Sequence, residues 1–385
     1  MKPPEYYKGR EQTWVKHLFL EKYLERVAYN ILSFKDEFVY VDGFSGPWKS
    51  EDENFEDTSF MIAVEQLRRV KGSVMDRFDK NVRIRCYFND NDPIAFEGLK
   101  RAADKISDIE IMVECGDFED MVPAIKDFVG RSFSLTFIDP KGWKGYGLRM
   151  IQPLLELRGE VLINFMFDYA NRFLDDPRPE TIATFDPVFG GPDWYKEIES
   201  RIAAGMEREE AILAVYLERL RSAGRFTHVT STPVLKPLSQ RAYFHLVYGT
   251  HHRKGLIEFR HVEKQTFPEQ EKVRRSTKAK DRVERTGQTD LFVSDDHRTG
   301  PRSYEAQKQK QDELGQATMR DFLAQRGTLR FEELQTRLLE IPLVWESDLK
   351  VWLHEMRKAG EIEIPELTGR QWVPKANQII VWKGK

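Results

Sequence analysis

Four acidic residues occupy equivalent places in this chain: Asp42, Asp90, Asp117 and Asp139 each follow closely on a short apolar run. The first opens Asp42-Gly43-Phe44-Ser45-Gly46-Pro47, where glycines permit a tight turn and close approach of backbone to a ligand. The second closes Phe88-Asn89-Asp90. A carboxylate there can accept from both hydroxyls of a ribose, while Asp92 before Pro93 reads as a helix cap. Gly116-Asp117-Phe118 offers an acceptor for an adenine amino group and a ring face to stack on it. The fourth, Ile138-Asp139-Pro140-Lys141-Gly142-Trp143, sets a carboxylate on a proline-fixed turn with a cation and an indole. Asn164 follows a fifth run. Singly, each is also an ordinary turn or cap. Their joint order is a glycine turn, a ribose acid, an adenine acid and a reaction-site acid.

Delivering these residues together requires parallel strands whose carboxyl ends share one edge. Continuous apolar runs at 38–41, 82–88, 109–113, 133–138 and 161–166 suit strands buried on both faces. Helical stretches near 58–70, 93–105, 119–129 and 147–156 separate them, so the expected fold class is α/β, a doubly wound Rossmann-like sheet. A helix over 11–33 precedes the first strand; with the residues around it, 1–36 reads as an N-terminal helical segment carrying Lys16 and His17. The ligand-binding core spans 37–168, a helical cap insertion 169–224, and an antiparallel edge hairpin 225–264. Residues 265–302 read as a charged linker, in which Lys272–Arg285 holds seven basic and two acidic residues. Residues 303–385, three amphipathic helices and a terminal hairpin, form a winged-helix-like pattern. The third of those helices mixes Glu346, Asp348 and Glu355 with Lys350, Arg357 and Lys358, which fits a protein-interaction or structural role as well as DNA reading.

The order of strand-end residues suits S-adenosylmethionine better than NAD. The turn at Gly43 lacks the third glycine of G-x-G-x-x-G, with Pro47 and Trp48 in the following positions. NAD sites place the ribose acid about 20 residues past the glycines, whereas Asp90 lies 48 positions beyond Asp42 (90 minus 42), with an acidic insert at Glu51–Asp57 between.

Composition narrows the class. Sixty basic against 63 acidic residues give a net charge of −3, so no global pull draws the chain to polyanions and local patches must do it. No run of 18 apolar residues and no apolar N-terminal signal occur, so a cytoplasmic protein without membrane partners is expected. Cys86 and Cys115 are too few for a zinc site or disulfide scaffold and read as buried strand thiols. No metal site is expected.

Asp139-Pro140-Lys141-Gly142-Trp143 resembles the Asp-Pro-Pro-aromatic signature of amino-group methyltransferases, with Lys141 and Gly142 in place of the second proline. More widely, the chain resembles the three-Cys-motif partner family. The matching pieces are Trp14-Val-Lys-His17 with Lys22-Tyr23-Leu24, Val41-Asp-Gly-Phe-Ser-Gly-Pro47, Asn89-Asp-Asn-Asp-Pro93, Gly116-Asp117, Asp139-Pro-Lys-Gly142, Ile163-Asn-Phe165 with Asn171-Arg172, and the hairpin continuing to Thr250-His251 and Gly255. The likeness covers most of residues 11–265. It implies a class I S-adenosylmethionine-dependent methyltransferase fold with a nucleic-acid acceptor, DNA in preference to RNA, in modification or repair. It further implies a radical-SAM partner that carries the three cysteines, since this chain has two.

On this reading Asp42, Gly43, Phe44, Ser45 and Gly46 hold the amino-acid end, Asp90 the ribose, and Asp117 with Phe118 the adenine. Asp139, Lys141 and Trp143 form the reaction site, Asp139 also touching the cofactor, and Lys16, His17 and Asn164 meet substrate. His17 could be a base or a substrate contact, although its helical spacing favours a packed or surface histidine. Two departures from the family pattern stand out: Trp48 replaces a usual glycine, and Asp90 a usual Glu. The first sustains an alternative in which the sheet is a non-catalytic nucleic-acid and partner-binding module assisting a radical-SAM enzyme.

Overall fold

The apolar runs become neighbouring strands in the computed structural model, which describes residues 1–46, 57–174, 178–239, 241–286, 304–367 and 373–384. β1 (Glu37–Asp42), β2 (Arg83–Asp90), β3 (Glu110–Cys115), β4 (Ser134–Ile138) and β5 (Gly159–Phe165) pair in parallel, in the order β3-β2-β1-β4-β5. β4 and β5 are buried throughout, which accounts for continuous rather than alternating apolar residues. β3 forms one edge and is partly exposed. Cys115 at its end is exposed while Cys86 on β2 is buried; the expectation of two buried thiols is corrected for the edge strand, which has a neighbour on one side only. Beyond β5, β6 (His228–Leu235) and β7 (Ala242–Thr250) form the hairpin, with β7 antiparallel to β5 and β6 outermost.

Helices cover both faces. They are α1 (Glu11–Leu32), α2 (Ser59–Phe78), α3 (Pro93–Ala103), α4 (Phe118–Val129) and α5 (Leu148–Leu155). Strand side chains alternate between faces. Val39 and Val41 share a core with Val122 and Ile125 of α4 and Ile151 of α5. Between them, Tyr40 meets Phe88, and Phe88 meets Phe60 of α2, at ring separations of 6.0 and 4.6 Å.

The insertion after β5 contains α6 (Phe167–Phe173), α7 (Pro179–Ala183), α8 (Asp186–Phe189), α9 (Trp194–Ala203) and α10 (Arg208–Gly224). Instead of forming a separate cap, these helices extend the sheet's own core. Phe189, Trp194, Ile212 and Tyr216 cluster with Val161, Ile163 and Phe165, and the Phe165 and Tyr216 rings stack at 4.1 Å. Removing such large apolar faces from water, at roughly 25 cal/mol per Å², draws them onto the strands.

The chain divides into two compact units, Met1–Gly255 and Leu256–Lys385. The stretch from 265, expected as a linker, continues α11 (Arg253–Thr286), with Phe267, Gln270, Val273 and Arg274 buried and Lys272, Arg275, Lys280 and Arg282 exposed. The helical stripe is hard to see in the sequence because Thr266, Gln270 and Arg274 occupy buried positions. The remainder of the expected linker, 287–302, lies outside the described residues.

In the second unit α12 (Tyr304–Arg326), α13 (Phe331–Leu339) and α14 (Glu346–Lys358) enclose Leu323, Leu334, Leu349 and Leu353. A separate antiparallel sheet runs β8-β10-β9, from β8 (Thr328–Arg330), β9 (Ile362–Glu363) and β10 (Ile379–Trp382). β8 carries one apolar residue and is defined by its pairing with β10, so no sequence pattern announced it. Among the described residues no helix is long and apolar enough to cross a membrane.

A buried ion pair organises this unit. Arg260 Nη1 lies 2.6 Å from Glu263 Oε1, Trp345 Nε1 donates to Glu263 Oε2 at 2.9 Å, and Arg260 Nε donates to the Leu339 carbonyl at 2.8 Å. Glu263→Ala leaves a buried guanidinium without its anion; a loss of about 3–5 kcal/mol is expected in the urea unfolding transition of this unit.

Candidate functional site

The sheet reverses its winding between β1 and β4: the chain runs outward from β1 to β2 and β3, then returns to β4 on β1's other side. A reversal of this kind leaves a crevice beyond the strands' carboxyl ends. A cleft of about 450 Å³ opens there, lined by Phe44 and Gly46 after β1, Asp139, Pro140 and Lys141 after β4, and Asn164 and Met166 of the β5 end. Ser59 of α2, Phe244 of β7, and Lys16 and His17 from the first turns of α1 complete the wall.

Asp139 is the polar centre. Lys16 Nζ donates to its Oδ2 at 2.5 Å and Asn164 Nδ2 to its Oδ1 at 2.7 Å. An ionised carboxylate only accepts, so Asn164 must present its amide nitrogen and leave its oxygen to the other side. That Oδ1 is buried without a hydrogen-bond partner among the described residues. An unpaired buried acceptor costs about 1–3 kcal/mol, and a donor brought by a ligand in the cleft would remove the cost.

The glycine turn is tied from beneath. Asn89 Nδ2 donates to the carbonyls of Gly43 at 3.3 Å and Gly116 at 3.0 Å, and Ser45 N donates to the Asn89 carbonyl at 2.8 Å. Asp90 accepts from Gly46 N at 2.9 Å with one carboxylate oxygen and from Asp92 N at 2.8 Å with the other. Each oxygen keeps acceptor capacity for a hydroxyl. Asp92 caps α3 through Ile94 N at 2.9 Å.

Asp42 is wholly buried, accepting from Phe44 N at 3.1 Å and the Ser59 hydroxyl at 2.8 Å. Burial pushes its carboxyl up to about 7; the hydrogen bonds from Ser59 and Phe44 oppose the rise and the Asp139 charge adds to it. His17 is held well below the ordinary histidine range, first by burial and then by the positive Lys16 and Arg10. Its Nδ1 lies 3.2 Å from the Tyr7 hydroxyl. Lys141 and Asp90 are close enough for each charge to act on the other.

The cleft therefore collects Lys16, His17, Phe44, Gly46, Asp139, Lys141 and Asn164, with Asp42, Ser45 and Asp90 bonded directly behind it. Two rings lie elsewhere than expected. Phe118 is buried against Gly43, where an added Cβ would meet its ring at 2.5 Å, and stands 5.2 Å from the Phe44 ring. Trp143 stacks on Phe185 at 5.4 Å and leans on Tyr169 at 5.1 Å, packed against the core. Neither offers the open face expected of it, because large rings gain more from packing inward. Asp117 is exposed at the rim, accepting from Asn91 Nδ2 at 2.8 Å. Pro47 and Trp48 lie outside the described residues. Asn89 and Tyr7 carry parts of the site that no periodicity marks; for Asn89 the available signal is its place just before a strand-end acid. Among the described residues no cluster of His, Cys, Asp or Glu suits a metal ion.

The chain matches no known protein family and no curated protein. Among solved structures it is similar to a loganic acid methyltransferase with SAH, at 9% identity and a TM-score of 0.30, over 70% of this chain and 88% of that one. A likeness so distant bears on neither mechanism nor substrate.

A carboxyl raised in the folded state binds its proton more tightly folded than unfolded. Its contribution to stability is complete below about pH 4 and is lost as pH climbs through about 7. Asp42→Asn should remove that slope. Chemical denaturation across this window should show wild type losing up to about 1.4 kcal/mol per pH unit relative to the variant.

Proposed function

We propose that the cleft binds S-adenosylmethionine and that the protein transfers a methyl group to a nucleobase nitrogen. The observation that carries this reading is the gathering of Asp42, Asp90, Asp117 and Asp139 along one edge of a doubly wound sheet, around the point where its winding reverses. The donors and acceptors fit such a ligand. Its amino-acid end needs both kinds together, and Lys16 stands beside the unpaired Asn164 Oδ1. Asp90 has acceptor capacity left for a ribose diol. Ile94, 84% exposed in the first turn of α3, would supply the apolar face that Phe118 does not. Bound there, the cofactor supplies an electrophilic methyl group.

The protein's own part is alignment. Asp139, fixed in orientation by Lys16 and Asn164, would accept an N–H of the target amino group and turn the nitrogen lone pair toward the methyl carbon. Positioning of this quality can lower a barrier by about 7–11 kcal/mol. A nucleic-acid acceptor is supported by the exposed Lys272, Lys280 and Arg282 of α11 as phosphate contacts. It is supported also by the order of elements in the second unit, helix, strand, two helices and two strands, which is a winged-helix order. A base within duplex DNA would have to be flipped out. The radical-SAM partner belongs to the same proposal. A second reading, a non-catalytic nucleic-acid and partner-binding module, is favoured by the packing of the Trp143 ring against Phe185 and Tyr169.

Labelled S-adenosylmethionine incubated with mixed nucleic acids, followed by nucleoside mass spectrometry, separates the two. Wild type is expected to yield a labelled nucleoside and Asp139→Asn at least about 100-fold less. Calorimetry should show Asp90→Ala weakening cofactor binding by about tenfold or more, roughly 1.4 kcal/mol. No heat with either S-adenosylmethionine or S-adenosylhomocysteine would leave the binding module standing.

A further inference from the structure

We propose that His17 is the proton acceptor of the cleft and that Tyr7 is the positioning residue that sets its tautomer; the assignment rests on the methyl-transfer reading. The Tyr7 hydroxyl has a single hydrogen. It stands 3.3 Å from the Asp57 carbonyl oxygen, which can only accept, and 3.2 Å from His17 Nδ1. The phenol therefore gives its hydrogen to the carbonyl and accepts at its own oxygen. The imidazole then carries its proton on Nδ1 and a lone pair on Nε2. The opposite choice would leave two oxygens 3.3 Å apart with no hydrogen between them.

The surroundings hold this arrangement. Tyr7 is wholly buried, its ring edge-on to the imidazole at 5.7 Å. Arg10 lies over the Tyr7 ring at 5.6 Å and donates to the Asp57 carboxylate at 3.3 Å. A buried histidine is usually a packing residue, but His17 shares the lining of the cleft with Asp139 and Lys16, and no described residue hydrogen-bonds its Nε2.

An amino nitrogen that gains a methyl group is cationic until it loses a proton. Its lone pair forms the new N–C bond, the electron pair of the breaking C–S bond stays on sulfur, and one N–H proton passes to His17 Nε2. Nε2 then releases that proton to water. Asp139, held by Lys16 and Asn164, is assigned to orienting the target N–H, which leaves His17 as the neutral base. The neighbouring cations Lys16 and Arg10 favour its neutral form.

Nitrogen-15 spectra of the histidine-labelled full chain should place the His17 proton on Nδ1 in wild type and on Nε2 in Tyr7→Phe. With the nucleoside acceptor found by mass spectrometry, His17→Asn keeps an amide for Tyr7 but has no basic nitrogen. It is expected to transfer methyl about 100-fold more slowly, with S-adenosylhomocysteine affinity unchanged and Tyr7→Phe slowed to a smaller degree. A wild-type proton on Nε2, or full-rate transfer by His17→Asn, overturns this proposal and leaves the methyl-transfer reading intact. Wild type that binds S-adenosylhomocysteine yet labels no nucleoside overturns that reading and this assignment with it.

Discussion

Strand register sets the height of the acids at the strand ends around the cleft. Asp42 on β1 is level with Phe88 on β2 and with Phe137 on β4, so Asp90 and Asp139 both stand two residues beyond it. Asp90 is in turn level with Cys115 on β3, which puts Asp117 two residues further out. Ile138 pairs with Ile163, and one step on, Asp139 and Asn164 meet through a hydrogen bond. A slip of one residue on any strand would send its carboxylate to the opposite face of the sheet. The buried apolar runs prevent the slip, because it would also turn their packed side chains over.

Charge in the cleft is balanced from outside the sheet. The acids come from strand ends, whereas Lys16 comes from α1, and its ammonium sits between Asp139 and the Phe244 ring, 5.8 Å from the ring centre. Lys16 is buried and Asp139 partly so, which makes the pair costly to break, since the remaining charge would lack a counterion and much of its water. The same burial drives Asp42 and His17 toward their neutral forms. Groups pushed toward neutrality therefore stand beside a salt-bridged pair, each matched to its contacts.

The second unit answers a related problem with other means. α11 buries Arg260, Glu263, Gln270 and Arg274, polar residues that ordinarily mark a solvated helix. Glu263 makes this tolerable by accepting from Arg260, the Trp345 indole and Leu343 N. One carboxylate thus joins the helix to the turn between α13 and α14.

The alternation of strands and helices from β1 to β5, the acids at the strand ends and the cap at Asp92 could be read from the chain, because nearest-neighbour periodicity and short turns encode them. Position after an apolar run also marked Asp139 and Asn164, which both line the cleft. It could not show that Lys16 would occupy Asp139 across 123 positions of chain, or that Tyr7 would orient His17. Nor could it show that Phe118 and Trp143 would turn inward or that α11 would run through the charged stretch. Those outcomes depend on which distant surfaces meet, and a ring or an ammonium goes where packing and counter-charge are best satisfied, which becomes defined only once the sheet has brought remote segments together.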